Sequence, residues 1–152
     1  MERVLERKQV LPVDIEEAWS FFSNPANLDV ITPPELRFEI VSLDNEAMYE
    51  GQIIEYRIRV APLIWTSWIT EIVNVTDRVS FADVQRKGPY KKWHHTHTFR
   101  SVGDRKVEMT DHISYDVGKW IFGEIAHALF VRRRLQYIFD FRWRKLEELF
   151  PA

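Results

Sequence analysis

The side chains best suited to chemistry lie in three neighbouring segments in the second half of the chain. Residues 81–85 read FADVQ, residues 93–99 read WHHTHTF, and residues 107–115 read VEMTDHISY. Side chains two positions apart in a β-strand share a face. If Phe81, Phe99 and the apolar residues around Met109 face the core, five polar side chains must face it too. They are Asp83, Gln85, His95, His97 and Asp111.

This polar set can be read in three ways, because an unpaired buried polar group costs about 1–3 kcal/mol and must find a partner. The set could be a structural hydrogen-bond network in which a carboxylate holds an imidazole. It could be the polar end of a pocket that orients a carbonyl, hydroxyl or carboxylate. It could also be an acid/base site with His95, His97, Asp83 and Asp111 as candidate catalytic residues.

A metal site is a fourth reading of the same residues. His95 and His97 form an HxH pattern, and Asp111 would complete a two-histidine, one-carboxylate set suited to Fe(II) or Zn. HxH alone is a weak pattern, and Gln85 and the aromatic flanks fit a hydrogen-bond network as well. We therefore predict no metal and no cofactor. The chain lacks cysteine, which excludes disulfides and a thiolate nucleophile, and it lacks the GxSxG, P-loop and GxGxxG motifs.

Periodicity predicts the elements that must position these residues. Residues 3–11 read as a strand, and a short helix follows with Asp14 as its N-cap and Glu17 three residues later. Asn24-Pro25 ends that helix. Six strand-like segments come next, separated by turn residues. They are 36–43, 51–60, 63–75, 78–86, 91–101 and 106–117.

The last ~30 residues change to helical spacing. The predicted apolar side of this long helix contains Ile121, Ile125, Leu129, Gln136, Phe139, Trp143, Leu146 and Phe150. Its basic residues, Arg132 to Arg134 together with Arg142, Arg144 and Lys145, are predicted to form a solvated face. The simplest arrangement is one α+β domain over residues 1–152. A curved antiparallel sheet of about seven strands, with one or two short helices after its first strand, would wrap around the C-terminal helix.

Several motifs, in the order in which they occur along the chain, resemble those of a known superfamily. They are NLDVITPP at 27–34, FADVQ at 81–85, GPY at 88–90, WHHTHTF at 93–99, TD at 110–111 and VRR at 131–133. Over essentially the whole chain they are similar to the START-like (SRPBCC, helix-grip) superfamily, in its bacterial ligand-binding, polyketide cyclase-like branch. The resemblance implies an internal cavity between sheet and helix, where members hold lipids, sterols, hormones or polyketides. It supplies no catalytic set.

We therefore expect a binding protein for a small hydrophobic ligand that carries a polar group, lipid-, polyketide- or aromatic-like. The alternatives are a cyclase- or dehydratase-like enzyme that uses a His–Asp pair, and a regulatory protein-interaction module. The residues expected to bind ligand are Tyr56, Trp65, Phe81, Asp83, Gln85, Trp93, His95, His97, Asp111, Tyr115 and Arg132. The aromatic content of 14% is compatible with such a pocket.

Charge and hydropathy limit the other partners. A net charge of −2 gives no bulk attraction to nucleic acid. The longest uncharged run, from Val60 to Thr70, is about half of the ~20 residues that a membrane helix needs, and the N-terminus lacks the features of a signal peptide. We expect a soluble, cytoplasmic protein that does not bind nucleic acid or span a membrane, and leave a protein partner open.

Overall fold

One curved antiparallel sheet is the framework of the protein, which a computed structural model describes at residues 1–119 and 124–152, apart from the side chain of Val60. Seven strands lie within these ranges, in the order β1-β7-β6-β5-β4-β3-β2. Their bounds are β1 Arg3–Leu11, β2 Glu39–Ser42, β3 Ile53–Ala61, β4 Ile64–Thr76, β5 Ser80–Lys87, β6 Lys92–Gly103 and β7 Lys106–Asp116. The predicted α+β helix-grip architecture is confirmed.

Helical segments connect β1 to β2, and a long helix follows the last strand. Helix α1 covers Ile15–Phe22, and the Asp14 carboxylate accepts a 2.8 Å hydrogen bond from the amide of Glu17, so the predicted N-cap is confirmed. Two 3₁₀ turns follow at Pro25–Ile31 and Pro34–Leu36. The long helix α2 covers Glu124–Leu149. None of the helices within the described ranges is long and apolar enough to cross a membrane.

The first strand after α1 is shorter than predicted. The sequence pattern indicated a strand from residue 36 to 43, whereas β2 begins at Glu39. The second 3₁₀ turn occupies Pro34–Leu36, and Arg37 ends it in the left-handed conformation, with φ of 43°. A strand cannot continue through that conformation, so pairing starts only after it. The five later strands agree with their predicted bounds to within two residues at each end.

The residues of α2 that face the sheet differ in part from those predicted. Ile125 and Leu129 were expected to be buried but are 76% and 51% exposed, and Ile121 lies outside the described residues. The buried positions are Ala128, Leu135, Phe139, Arg142 and Leu146. The prediction is therefore right for Phe139 and Leu146 and wrong for the first half of the helix. It is also wrong for Arg142, which is buried rather than solvated.

Three apolar clusters fill the space between sheet and helices, and they differ in what covers them. Two contain buried residues of α2: Leu146 in the cluster around Phe81 and Phe99, and Leu135 with Phe139 in the cluster around Trp93. The third lies on β3, β4 and the segment before β2, and no described α2 residue belongs to it. A gap between β3–β4 and α2 is the structural consequence.

Candidate functional site

A cavity of about 570 Å³ occupies the gap between the sheet and α2. Its walls are mostly apolar. Strands β3 and β4 contribute Tyr56, Trp65 and Trp68, whereas α2 contributes Leu135 and Phe139. Strand alternation explains the lining of β3, because Ile54, Tyr56 and Ile58 are buried and Arg57 between them is exposed.

Two stacked imidazoles stand on the wall that β5 and β6 form. His95 and His97 are two residues apart on β6 and therefore share a face, and their ring centroids are 3.7 Å apart at an interplanar angle of 27°. Phe81, opposite His97 in the register of β5 and β6, stacks on it at 4.2 Å. Both histidines are 5% exposed. The stack therefore has little freedom to rotate.

Two carboxylates flank the imidazole stack. His95 Nε2 lies 2.8 Å from Asp111 Oδ1, and His97 Nε2 lies 2.8 Å from Asp83 Oδ2. The remaining ring nitrogens face the opposite carboxylates at longer range: His95 Nδ1 is 3.6 Å from Asp83, and His97 Nδ1 is 3.4 Å from Asp111. Each carboxylate therefore contacts both imidazoles. We call these four residues the His–Asp cluster.

Two further donors hold the carboxylates in place. Trp93 Nε1 donates a 3.0 Å hydrogen bond to Asp83 Oδ1. Arg142 of α2 places Nη2 at 3.3 Å from Asp111 Oδ1, with both side chains buried. Its guanidinium also lies 5.5 Å from the ring centroids of Phe22 and Phe139. This arginine connects α2 to the cluster.

The pKa shifts of the two carboxyl groups indicate their charge state in the His–Asp cluster. Burial alone would raise the pKa of Asp111, but Arg142 and the two imidazoles outweigh it and hold that pKa well below its usual range. Burial would also raise the pKa of Asp83, but His95, His97 and Trp93 lower it. Both carboxyl groups are therefore ionised at neutral pH.

The two histidines have opposite shifts. Burial, with the nearby charge of His97, lowers the pKa of His95 to about 4. Burial opposes the charged form of His97 too, but the adjacent carboxylates of Asp111 and Asp83 outweigh it and raise that pKa. A neutral His95 has one N–H, which suits its single short contact with Asp111. The two carboxylates thus face the Arg142 guanidinium and, in His97, the histidine whose charged form is the more favoured of the two.

The structure brings most of the predicted ligand residues to the cavity. Seven line it: Tyr56, Trp65, Phe81, Asp83, Trp93, His95 and His97. Asp111 stands beneath the imidazoles, bonded to His95. Gln85 bonds both the carbonyl and the amide of Tyr90 and so closes the β5–β6 turn. Tyr115 and Arg132 lie on a separate groove of about 370 Å³ between β1 and the first half of α2.

Arg142, Trp68 and Thr70 line the cavity but were not among the ligand residues predicted from the sequence. Arg142 was placed in the basic, solvated stretch, although its spacing from Phe139 and Leu146 matches the buried stripe of α2. Trp68 and Thr70 share one face of β4, and both line the cavity. The Trp68 indole nitrogen and the Thr70 hydroxyl are buried without a hydrogen-bond partner among the described residues.

The cluster also has the composition of a metal site. One donor atom each from Asp83, His95 and His97 lies within 4.8 Å of the others. The third member is thus Asp83, whereas the sequence suggested Asp111. Both imidazoles already hydrogen-bond a carboxylate through Nε2. A metal bound through these Nε2 atoms would have to displace those bonds, whereas His97 Nδ1 lies 3.4 Å from Asp111 without a hydrogen bond.

Comparisons with known proteins define the fold. No protein-family model matches the sequence, and no curated protein matches it. Among solved structures, the Zhui aromatase/cyclase from Streptomyces sp. R1128 matches with a TM-score of 0.76 at 11% identity, over 96% of this chain and 92% of that one. A START superfamily protein from Mycobacterium smegmatis matches with a TM-score of 0.65 at 14% identity, over 96% and 98%.

A plant enzyme gives a third likeness. A norcoclaurine synthase mutant from Thalictrum flavum, crystallised with a transition-state analogue, matches with a TM-score of 0.66 at 15% identity, over 97% of this chain and 96% of that one. At these identities the likenesses establish the fold alone. The START-like, SRPBCC-type helix-grip fold that the sequence motifs predicted is confirmed.

Proposed function

We propose that the protein binds a small, largely apolar molecule carrying at least one polar group in the cavity between the sheet and α2. The observation that carries this proposal is the 570 Å³ cavity with its aromatic and aliphatic walls. Its volume lies within the ~300–1,000 Å³ that is typical of small-molecule sites. The polar groups of the lining come from the sheet, from the first 3₁₀ turn and its flanks, and from α2.

Packing energy supports a ligand for this space. Apolar side chains that line an unfilled space have no packing partner on one side and lose the dispersion contacts that a filled core would give them. Water could fill the space but finds few partners on apolar walls. An apolar molecule would restore the missing contacts. It would not have to displace the core residues that pack around Phe99 and Leu146.

The named neighbours are compatible with a small-molecule site. One is an aromatase/cyclase, and another was crystallised with a transition-state analogue. Each of those proteins has the same fold, and each is named as an enzyme, an aromatase/cyclase in one case and a synthase in the other. For this chain they support a hydrophobic ligand in general.

Binding explains the His–Asp cluster better than acid/base catalysis. A catalytic imidazole must exchange a proton with the substrate and needs a ring nitrogen that faces it. All four ring nitrogens of His95 and His97 instead face a carboxylate oxygen at 3.6 Å or less. We therefore propose that the cluster supports the cavity wall and does not turn over a substrate.

A titration with the neutral fluorophore N-phenylnaphthylamine tests the proposal. We expect its emission to rise on binding to the wild type and to fall when fluorene competes. Ile138→Trp on α2 places a large ring in the cavity and should abolish both effects. Ile53→Trp, at an exposed position on β3, is the matched control and should bind as the wild type does. Unchanged binding by Ile138→Trp would contradict the proposed site.

A further inference from the structure

Two hydrogen-bond donors on β4 are buried in the cavity wall without a partner. Among the described residues, neither Trp68 Nε1 nor Thr70 Oγ1 makes a hydrogen bond. Thr70 is only 2% exposed, and its hydroxyl lies close enough to the Tyr56 hydroxyl to act on the pKa of that phenol, although the pair does not reach the geometry of a full hydrogen bond. A buried donor without a partner costs about 1–3 kcal/mol, so such groups are rare unless something else bonds them.

The remaining unpartnered buried atoms have charged neighbours or lie outside the cavity wall. His97 Nδ1 lies 3.4 Å from Asp111, and Arg142 Nε belongs to a guanidinium already held by the same carboxylate. Gln52 Oε1 lies away from the cavity lining. Within the described part of the chain, only the β4 pair therefore combines an unused donor with a position on the cavity wall and no charged neighbour in hydrogen-bond contact.

Packing holds the Trp68 indole in a fixed position. Its ring contacts Trp93 edge-on at 5.2 Å and lies 6.1 Å from Tyr90 and 6.5 Å from Tyr56. Gly88 packs against the edge of the ring that carries Nε1, because a Cβ there would stand 2.7 Å from Trp68 Cδ1, the carbon bonded to that nitrogen. The indole cannot turn its N–H toward bulk water without disturbing these neighbours.

We propose that Trp68 and Thr70 form a subsite that receives a neutral acceptor oxygen of the ligand, such as a ketone, quinone or ester carbonyl. This inference rests on the proposed function and specifies where the polar group of the ligand binds. An indole N–H only donates, so the partner atom must accept. A ligand whose polar group is a protonated amine would face the donor with another donor and is excluded from this orientation.

The subsite differs from the one that the sequence suggested. The polar row on β5, β6 and β7 was expected to orient the ligand, but its carboxylates are already engaged by His95, His97 and Arg142. Burial raises the pKa of the neighbouring Tyr56 hydroxyl, which stays a neutral phenol. The wall around Trp68 is therefore polar but uncharged, and a neutral oxygen suits it better than a carboxylate.

Fluorenone and fluorene test the inference because they share their ring system and differ in one carbonyl oxygen. Dissociation constants come from displacement of N-phenylnaphthylamine. We expect the wild type to prefer fluorenone by about fivefold, the effect of one neutral hydrogen bond. Trp68→Phe should remove most of that preference and Thr70→Val a smaller part, with fluorene affinity kept within about twofold. A preference that survives in both variants would overturn the subsite.

Matched controls make the same chemical changes away from the cavity. Trp143→Phe removes an indole whose N–H bonds Glu147 on the surface of α2, and Thr96→Val removes a hydroxyl that is absent from the cavity lining. Both should retain the fluorenone preference. If either control loses it, the change reflects a general disturbance and the subsite is rejected.

A spectroscopic measurement on the wild type covers the case in which a variant fails to fold. The infrared carbonyl band of bound fluorenone should lie at lower wavenumber than in cyclohexane, because a donated hydrogen bond weakens the C=O bond. An unshifted band with fluorene and fluorenone both bound would overturn the subsite but leave the proposed function standing. Failure of fluorene to bind would overturn the proposed function, and the subsite with it.

Discussion

The cavity has two polar walls that differ in how their polar groups are compensated. On β5–β7 two carboxylates, two imidazoles and the Arg142 guanidinium contact one another within hydrogen-bond and ion-pair distance. On β4 the Trp68 N–H and the Thr70 hydroxyl are neutral and have no partner among the described residues. Both walls belong to a lining that is largely apolar, so polarity alone does not show which of them contacts a ligand.

The free-energy costs of burying an unpaired charge and an unpaired neutral donor explain the difference. A buried charge without a counter-charge costs several kcal/mol, so a protein that must fold before it meets a ligand has to compensate that charge internally. A neutral donor costs about 1–3 kcal/mol when it is unpaired, and cavity water can lessen that cost. A ligand site can therefore contain neutral donors that have no partner in the free protein, whereas buried charges must be paired within the protein itself.

The largest expected effect is that of removing a charge from the wall on β5–β7. Asp111→Asn keeps the shape of the side chain but leaves Arg142 buried without its counter-charge. We expect the free energy of unfolding in urea to fall by about 3–5 kcal/mol. The control is Asp140→Asn, which removes an exposed partner of Arg7 and should cost at most about 1 kcal/mol. Equal losses in the two variants would show that the cluster does not carry the stability assigned to it.

The pH dependence of stability should separate the two histidines. Between about pH 6.5 and 4 the unfolded chain protonates His95 while the folded protein keeps it neutral, so stability falls by about 1.4 kcal/mol per pH unit as pH decreases. The raised pKa of His97 stabilises the fold below about pH 6.5, and that stabilisation is lost as pH rises through the folded value.

Chemical denaturation at a series of pH values measures both slopes. His95→Gln should flatten the acid side of the profile, and His97→Gln should flatten the part above about pH 6.5. The lowered pKa values of Asp83 and Asp111 add a separate loss below about pH 4, and each variant should reduce that loss because both histidines contribute to those shifts. If His97→Gln leaves the neutral-to-alkaline slope unchanged, the charged form of His97 is not favoured in the cluster.

A smaller effect is expected at the turn that closes over Trp68. Gly88→Ala would place a Cβ 2.5 Å from Gln85 Oε1 and 2.7 Å from Trp68 Cδ1. Because the indole is packed on its other sides, we expect a loss of about 1–3 kcal/mol in unfolding free energy and a changed tryptophan emission spectrum. Gly103→Ala, where the nearest atom would be 3.6 Å away, should be close to neutral. A neutral Gly88→Ala would mean that Trp68 is freer than its contacts indicate.

The smallest effect should come from the uncharged wall. Thr70→Val replaces a hydroxyl without a bonding partner among the described residues by a methyl group of the same shape. The free energy of unfolding should change by less than about 0.5 kcal/mol, or rise, because no hydrogen bond is lost. A loss above about 1 kcal/mol in thermal or urea denaturation would reveal a partner for this hydroxyl and remove the contrast between the two walls.

Period-two alternation is the part of the site that the sequence predicts well. It placed Asp83, His95, His97 and Asp111 on one face, and the register of β5, β6 and β7 brings these side chains together. Alternation depends only on the backbone, and three strands joined by short turns leave few alternative pairings. The fold was predictable for the same reason.

What each polar group bonds was not predictable, because it depends on distances between elements that are far apart in the chain. Arg142 lies in a basic stretch, and only the packing of α2 on β7 shows that it faces Asp111. The burial of Ile125 and Leu129 failed as a prediction because helical spacing allows more than one stripe, and the sheet selects among them. The donor pair of Trp68 and Thr70 has no signature in the sequence, because an unused donor is defined by the absence of a neighbour.

A crystal structure of the protein with fluorenone tests the central claim most directly. We predict electron density for the ring system between β3–β4 and α2, with the ligand oxygen about 2.7–3.2 Å from Trp68 Nε1. The His–Asp cluster should keep its contacts in that complex. Density on the groove near Arg132, or an oxygen directed at Asp83 and His97 with Trp68 still unpartnered, would contradict the claim.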